Sequence, residues 1–279
     1  MSEPFDRALR RRRHAAAAAG FARADFLHAA MAAEVRERVA GVARDFADVL
    51  DLGGPAPVWP GATRLALAPA AADVVADEDR LPFADASFDL VVSVAALASV
   101  SDLPGALVQV RRVLRPDGLF VAAFAGGMTL AELREDLIGA DIAARGGAAA
   151  RIAPMVEAQA AAGLLQRAGF AMPVADVERL TVRYGSLFGL LDDLTAMGAR
   201  SPLASRVPIG RDGLADAAAR FAARAVEGKT PVTVEIIHLA GWAPAPGQPV
   251  PLKPGSATTS LAAALGSRIG TPDEPGKRG

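Results

Sequence analysis

The chain has 279 residues, 52% of them hydrophobic, and a formal net charge of −1. This length allows one large domain with appendages or two small domains, with ample apolar material for a core. The near-zero charge argues against a partner recognised by a strong basic field, such as nucleic acid. Cysteine is absent, which excludes disulfides and zinc–thiolate sites and fits a reducing compartment. We therefore expect a cytoplasmic protein.

Two further classes of protein are disfavoured by the sequence. No apolar run approaches the length that a membrane-spanning helix needs, so we expect no transmembrane segment. The histidines, His14, His28 and His238, are not spaced with carboxylates in the way that metal ligands are. The sequence therefore predicts no metal site.

The N-terminal segment, residues 1–44, combines a dense positive cluster with a helical apolar pattern. The cluster runs from Arg10 to Arg13, and the apolar spacing begins at Ala24. Two interpretations of the arginines remain open: a solvated helix end, or an anchor for an acidic partner. Glu3 and Asp6 precede the cluster and no apolar signal core follows it, which argues against export.

The segment from Ala47 to Leu52 (ADVLDL) predicts the first strand, and Gly53 and Gly54 follow it directly. Three prolines occupy the stretch where a crossover helix would begin: Pro55, Pro57 and Pro60. Proline has no amide donor, so prolines at this spacing prevent a regular helix. The next apolar run, Leu65–Leu67, comes soon afterwards. We therefore predict that the first crossover helix is missing.

The stretch from Leu81 to Gly127 reads as turn, strand, helix, turn and strand. Phe88–Val94 (FDLVVSV) is a continuous apolar run, as expected for a strand buried on both faces. Pro104 lies in the first turn of the next helix, and Arg115–Gly118 (RPDG) ends it. Leu119–Phe124 (LFVAAF) is a second buried strand. Strand, crossover helix and strand form a βαβ unit, which implies a parallel sheet.

The C-terminal part alternates helices and strands before a polar tail. Thr129–Glu132 (TLAE) has the pattern of a capping box that starts a helix. Ala175–Tyr184 and Pro231–Trp242 predict two late strands. Pro244–Pro254 is proline-rich, and the last residues lack apolar content, which is typical of disorder. We therefore divide the chain into a helical segment at 1–44, an α/β domain at 45–243 and a largely disordered tail at 244–279.

Three segments resemble the second half of a class I S-adenosylmethionine (SAM) methyltransferase: Asp77–Phe83 (DEDRLPF), Ser87–Val91 (SFDLV) and Leu114–Gly118 (LRPDG). The resemblance implies a seven-stranded, Rossmann-like α/β sheet whose last strand is antiparallel to the others. It also implies that Asp77 lies beside the adenine of the cofactor, with Glu78 next to it. The alternative for these acids is an exposed acidic turn.

The same resemblance assigns further residues to SAM. In such folds the first strand runs into a glycine-rich turn that contacts the cofactor, which here gives Asp51, Gly53 and Gly54. Ser93, on the fourth predicted strand, is assigned to the same site. The chain departs from the pattern because prolines follow the glycines and because Ala66 stands where an acid would bind the ribose hydroxyls. We therefore expect SAM binding to be weak or lost.

No catalytic residue can be named from the sequence. Ala98 stands where methyltransferases of this kind often carry a histidine. Ser93 and Ser99 have no neighbouring base that would make either a nucleophile. The chain therefore has the pattern of a possible pseudoenzyme.

Later blocks resemble a narrower group, the family of mitochondrial complex I assembly factor 5 and its bacterial relatives. They occur in the family's order and are Gly126–Arg134 (GGMTLAELR), Ile152–Met155 (IAPM), Leu164–Phe170 (LLQRAGF) and Leu190–Gly198 (LLDDLTAMG). The mitochondrial member of this methyltransferase-like branch is associated with arginine hydroxylation on a complex I subunit. The resemblance therefore implies a protein partner, a subunit of respiratory complex I.

Three functions remain open. The chain is an active SAM-dependent methyltransferase acting on a small molecule or a carrier protein, a SAM-binding enzyme similar to the arginine hydroxylase, or a non-catalytic assembly protein. The ordered later blocks favour the assembly-factor branch. The altered cofactor half favours the non-catalytic reading over the hydroxylase.

Overall fold

The computed structural model describes residues 3–69 and 72–249, and the structural statements below concern these residues. They form a seven-stranded sheet in the order β3-β2-β1-β4-β5-β7-β6. Strands β1 to β5 pair in parallel, whereas β7 is antiparallel to both of its neighbours. This confirms the predicted class I methyltransferase-like sheet. The strands are β1 Val49–Leu52, β2 Thr63–Ala66, β3 Val74–Val75, β4 Phe88–Val94, β5 Leu114–Gly126, β6 Ala171–Tyr184 and β7 Thr230–Trp242.

Helices cover both faces of the sheet. Helices α3 and α5 pack on one face, and α2 packs on the other. All seven positions of β4 are buried as a result, which explains its continuous apolar sequence. Helices α4, α6 and α7 form a third cluster with the start of β7. The helices are α1 Arg7–Ala17, α2 Phe26–Ala40, α3 Leu103–Val113, α4 Ala131–Arg145, α5 Ala158–Arg167, α6 Leu187–Ala196 and α7 Gly210–Ala223.

The first crossover has no helix, as predicted: β1 and β2 are joined by turns alone. The backbone N–H of Val58 donates to the Asp51 carboxylate at 2.7 Å. Val58 is itself buried and packs in the apolar cluster beneath α2. The loop therefore covers part of the sheet face that a crossover helix covers in a complete βαβ unit.

The predicted capping box of α4 is wrong. The helix begins at Ala131, and its N-cap residue makes no side-chain cap. The Thr129 hydroxyl instead accepts the backbone N–H of Glu235 at 2.9 Å. The Glu132 carboxylate accepts the backbone N–H of Thr233 at 3.2 Å. Both polar side chains fasten α4 to β7, because the strand offers backbone donors that compete with those of the helix.

The chain divides into two compact units, Met1–Pro244 and Ala245–Gly279. Helices α1 and α2 belong to the first unit. The residues after 249, for which the sequence predicts disorder, lie outside the described residues. Within 3–69 and 72–249, no helix combines the length and the apolar character needed to cross a bilayer.

Candidate functional site

The turn after β1 brings two glycines into close contact with the end of β4. Gly53 and Gly54 have φ angles of 71° and 80°, a conformation that favours glycine. A β carbon on Gly53 would lie 2.5 Å from the β carbon of Ala96 and 2.9 Å from Oε1 of Glu78. A β carbon on Gly54 would lie 2.4 Å from the Val94 carbonyl oxygen. The space beside this turn is therefore filled by the protein's own atoms.

The side chain that fills this space belongs to a buried ion pair. Glu78 is 1% exposed and Arg10, on α1, is 6% exposed. Two parallel hydrogen bonds join them, from Arg10 Nη1 to Oε2 at 2.6 Å and from Nη2 to Oε1 at 2.8 Å. Arg10 also donates to the Ser99 hydroxyl at 2.9 Å and to the Ala96 carbonyl at 2.8 Å. A bidentate arginine–carboxylate pair with further partners is among the stronger charged contacts in proteins.

The acids on either side of Glu78 also bind arginines of α1. Arg11 Nη2 lies 2.7 Å from Oδ2 of Asp77. Arg7 Nη1 and Nη2 contact the two oxygens of Asp79 at 2.7 and 2.5 Å. The hydrogen bonds from Arg7 hold the pKa of the Asp79 carboxyl below its usual value. Three consecutive acids are thus paired with three arginines of one helix.

These contacts correct three interpretations from the sequence. Arg10 is buried, so the arginine cluster is not simply a solvated helix end. Arg10 and Arg11 already bind acids of this same chain, so neither is free to anchor an external acidic partner. Asp77 and Glu78 are 6% and 1% exposed, so the alternative of an exposed acidic turn is also wrong.

Asp51, on β1, binds the proline-containing loop through the N–H of Val58. It is 1% exposed, and burial raises the pKa of its carboxyl. One oxygen accepts the N–H of Val58, while Oδ1 has no hydrogen-bond partner among the described residues. Arg64 Nη1 lies 3.9 Å from the carboxylate, and Arg64 Nη2 donates to the Gly54 carbonyl at 3.0 Å. Arg64, which the sequence did not single out, therefore spans the glycine turn from β2.

Ser93 and His28 complete the surroundings of the turn. The Ser93 hydroxyl donates to the Leu52 carbonyl at 2.8 Å and ties β4 to β1. His28, on α2, is 7% exposed, and its Nε2 has no hydrogen-bond partner among the described residues. Burial lowers the pKa of this imidazole to about 4, with the charge of Arg64 adding to the effect. No sequence pattern marked His28, because its position depends on how α2 packs over the loop.

The residues that the resemblance assigns to SAM meet at the turn after β1. Glu78 lies against Gly53 and is held there by Arg10. Ala66 ends β2 and supplies no acceptor for ribose hydroxyls. The described residues also contain no group of three histidine, aspartate or glutamate side chains arranged to hold a metal ion. The glycine turn is thus bordered by the ion pair of Arg10 and Glu78.

A cavity of about 430 Å³ lies next to this cluster. Arg10, His28, Pro55, Ala98 and Ser99 form the side nearest the glycine turn, and most of the rest comes from α4, α6, α7, β7 and the segments that connect the helices. Its volume is in the range of small-molecule pockets. The cavity is therefore large enough to hold a small molecule.

Comparisons with known proteins agree with this geometry. Residues 58–122, from the loop before β2 into β5, match the methyltransferase domain family. The chain is 34% identical over 283 residues to arginine-hydroxylase NDUFAF5, mitochondrial, of Danio rerio, which covers 92% of this chain and 88% of that protein. It is 35% identical over 187 residues to a malonyl-[acyl-carrier protein] O-methyltransferase of Laribacter hongkongensis, covering 66% of this chain and 61% of the relative.

Among solved structures, a Bacillus halodurans protein assigned as a methyltransferase superposes with a TM-score of 0.51 at 13% identity. The match covers 77% of this chain and 99% of that protein, which shows the shared fold. The fold therefore agrees with the domain match, and the Danio rerio protein matches along nearly the whole chain. The chain belongs to the NDUFAF5 family and is built on the class I methyltransferase fold.

Proposed function

We propose that this protein is a non-catalytic member of the NDUFAF5 family that binds a subunit of respiratory complex I during assembly. Its SAM site is weak or lost. The observation that carries the proposal is the buried pair of Arg10 and Glu78, whose carboxylate lies against Gly53. A cofactor in this cleft would have to displace that pair.

The energy of displacement supports a weak SAM site. Separating a buried ion pair costs about 3–5 kcal/mol when its charges are left without partners. The missing acid at Ala66 withholds a charged hydrogen bond of about 1.5–3 kcal/mol. Together these losses of about 4.5–8 kcal/mol weaken binding by at least about a thousandfold.

The charges around the cleft also favour binding without turnover over arginine modification. Because relatives of this chain are named arginine-hydroxylase, one substrate to consider is the guanidinium group of an arginine. The acids that would receive such a group, Asp77, Glu78 and Asp79, are already paired with arginines of α1. The cavity beside them has no aspartate or glutamate in its described lining. A substrate arginine would therefore find no free carboxylate there.

A second candidate is an active SAM-dependent methyltransferase acting on a small molecule or a carrier protein. The similarity to malonyl-[acyl-carrier protein] O-methyltransferases over about two thirds of the chain favours it, as does the cavity next to the cleft. For either function we propose a reducing compartment. We propose the cytoplasm as this compartment, with the mitochondrial interior as the alternative, because the Danio rerio relative is named a mitochondrial protein.

Titration calorimetry with SAM tests the state of the site. We expect the unmodified protein to bind SAM with a dissociation constant on the order of a millimolar or weaker. The double variant Arg10→Ala/Glu78→Ala should bind at least tenfold more tightly, because it removes the side chains that fill the cleft. Arg12→Ala, an exposed position on the same helix, is the control and should change nothing. Micromolar binding by the unmodified protein would contradict the proposal.

Affinity capture from the native cell tests the partner. The full chain is required, because residues 1–40 carry part of the core, including Met31, Val35 and Val39. We expect capture of complex I subunits without transfer of labelled methyl groups from SAM. The Laribacter hongkongensis relative serves as the positive control for methyl transfer. Recovery of no such subunit, together with labelling of an acyl carrier or a small molecule, would favour the second candidate.

A further inference from the structure

The cavity next to the cleft is apolar over most of its wall. Leucines on α4 and α6 line one part of it, and β7 and the start of α7 close another. The side chains that form this wall include Leu133, Leu137, Leu190, Leu194, Ile209 and Val234. A ligand that fills this volume must therefore present apolar groups to it.

The charged side chains in the described lining of the same cavity are all positive. Within the described residues it contains five arginines and no aspartate or glutamate. Two of the arginines are neutralised from outside the cavity: Arg10 by Glu78, and Arg151 by Asp141 at 2.5 Å. In the described part of the chain, no ion pair joins the other three to a carboxylate. These three, called the arginine triad below, are Arg13, Arg200 and Arg206.

The triad residues lie close enough to interact electrostatically. Burial lowers the pKa of Arg13, and the charges of Arg200 and Arg206 lower it further, with Asp6 opposing them. Arg13 Nη1 donates to the backbone carbonyl of Arg200 at 2.8 Å and also to that of Ser201. This contact fastens α1 to the segment between α6 and α7. Arg200 and Arg206 themselves are exposed, so their guanidinium groups can be reached from solvent.

The histidines in the lining do not add to this charge at neutral pH. Burial lowers the pKa of His14 to about 4, with Arg10 nearby adding to the effect. The pKa of His28 is lowered to about 4 for the same main reason. The cavity is therefore apolar inside, and the uncompensated charge of its described lining is positive and comes from arginines. Such a combination is complementary to an anion that carries a hydrocarbon chain.

We propose that the cavity binds a single-chain amphiphile, with the chain against the leucines and an anionic head, a carboxylate or a phosphate monoester, on Arg200 and Arg206. The volume of about 430 Å³ sets the chain length. At about 30 Å³ for each water-sized group, it holds on the order of a dozen methylene-sized groups. This inference concerns ligand binding only, and it does not depend on a role in complex I assembly.

Calorimetry with ligands matched in chain length tests the proposal. Decanoate and decyl phosphate are titrated below their critical micelle concentrations. Decyltrimethylammonium is the control for the charge of the head, and butyrate is the control for the length of the chain. We expect saturable binding of at least one ten-carbon anion, and at least tenfold weaker binding of both controls. Comparing the affinities of decanoate and decyl phosphate shows whether the site prefers a carboxylate or a phosphate head group. Equal binding of the ten-carbon cation would overturn the proposal, and so would binding to anionic vesicles but to no free amphiphile.

Two variants locate the site. Arg200→Gln/Arg206→Gln should weaken binding of the ten-carbon anion at least tenfold without changing the fold, because both side chains are exposed. The matched control Arg167→Gln/Arg183→Gln removes two exposed arginines that do not line the cavity and should have no effect. Leu194→Trp should weaken the binding of both anions by filling the space for the chain. If binding is unchanged both in Arg200→Gln/Arg206→Gln and in Leu194→Trp, the ligand binds elsewhere and the proposal is overturned.

Discussion

Replacing Arg10 with methionine should destabilise the fold by about 3–5 kcal/mol, because it leaves a buried charge without its partner. The Glu78 carboxylate is 1% exposed and receives both of its arginine hydrogen bonds from Arg10. The free energy of unfolding in urea, measured for the unmodified protein and the variant, gives the size of the loss. The slope against urea concentration should stay the same, since the surface exposed on unfolding hardly changes.

A double-mutant cycle separates the ion pair from other effects of the substitution. Adding Glu78→Leu to Arg10→Met should recover most of the lost stability, because an apolar pair of similar volume needs no partner for a charge. Arg12→Met replaces an exposed arginine of the same helix and should change stability by less than about 0.5 kcal/mol. Equal losses from Arg10→Met and Arg12→Met would mean that the buried pair contributes nothing.

Stability should also fall steeply as the pH decreases from 6.5 to 4. His14 and His28 have their pKa lowered to about 4 in the folded protein, mainly by burial, whereas the unfolded chain titrates near 6.5. The unfolded state therefore binds more protons in this window, so each imidazole contributes stability above pH 6.5 that is lost as the pH falls towards 4. The loss amounts to at most about 3 kcal/mol for each residue. Burial lowers the pKa of His238 as well, with the same sign.

Unfolding experiments between pH 4 and pH 8 check this expectation. His14→Gln and His28→Gln should each flatten the profile between pH 6.5 and 4, because the substituted residue no longer takes up a proton on unfolding. Carboxylates with lowered pKa, such as Asp79 and Asp141, cause a further loss of stability at lower pH. This further loss should remain in both variants. A profile in both variants as steep as that of the unmodified protein would show that neither imidazole is buried in its neutral form.

Much of the fold could be predicted because its signals are local. The apolar run of β4, the proline at the start of α3 and the turn before β5 lie within one short stretch, and each has a direct conformational cause. The loss of the first crossover helix could be predicted for the same reason, since prolines remove backbone donors wherever they stand. The order of the later blocks identified the family, and the alignment with the Danio rerio relative bears this out.

The candidate site could be predicted only in part. The acidic turn was found, but its partners were not, because Arg10 and Glu78 are 68 positions apart and no spacing rule joins them. Arg64 and His28 were missed for a similar reason: Arg64 reaches the glycine turn from β2, and His28 reaches it through the packing of α2. The prediction of a capping box was wrong because Thr129 and Glu132 accept hydrogen bonds from backbone N–H groups of β7, which is distant in sequence.

By itself the sequence determined the parallel βαβ unit, the missing crossover helix and the family, because propensity, proline chemistry and residue order are properties of neighbouring residues. Only the tertiary structure decided what the charges do. Folding brought α1 onto the acidic turn, so that arginines expected to face solvent or a partner neutralise the chain's own acids. The same packing left the arginine triad beside an apolar cavity, with no carboxylate paired to it among residues 3–69 and 72–249. Coulomb energy depends on distance and burial, and chain folding sets both.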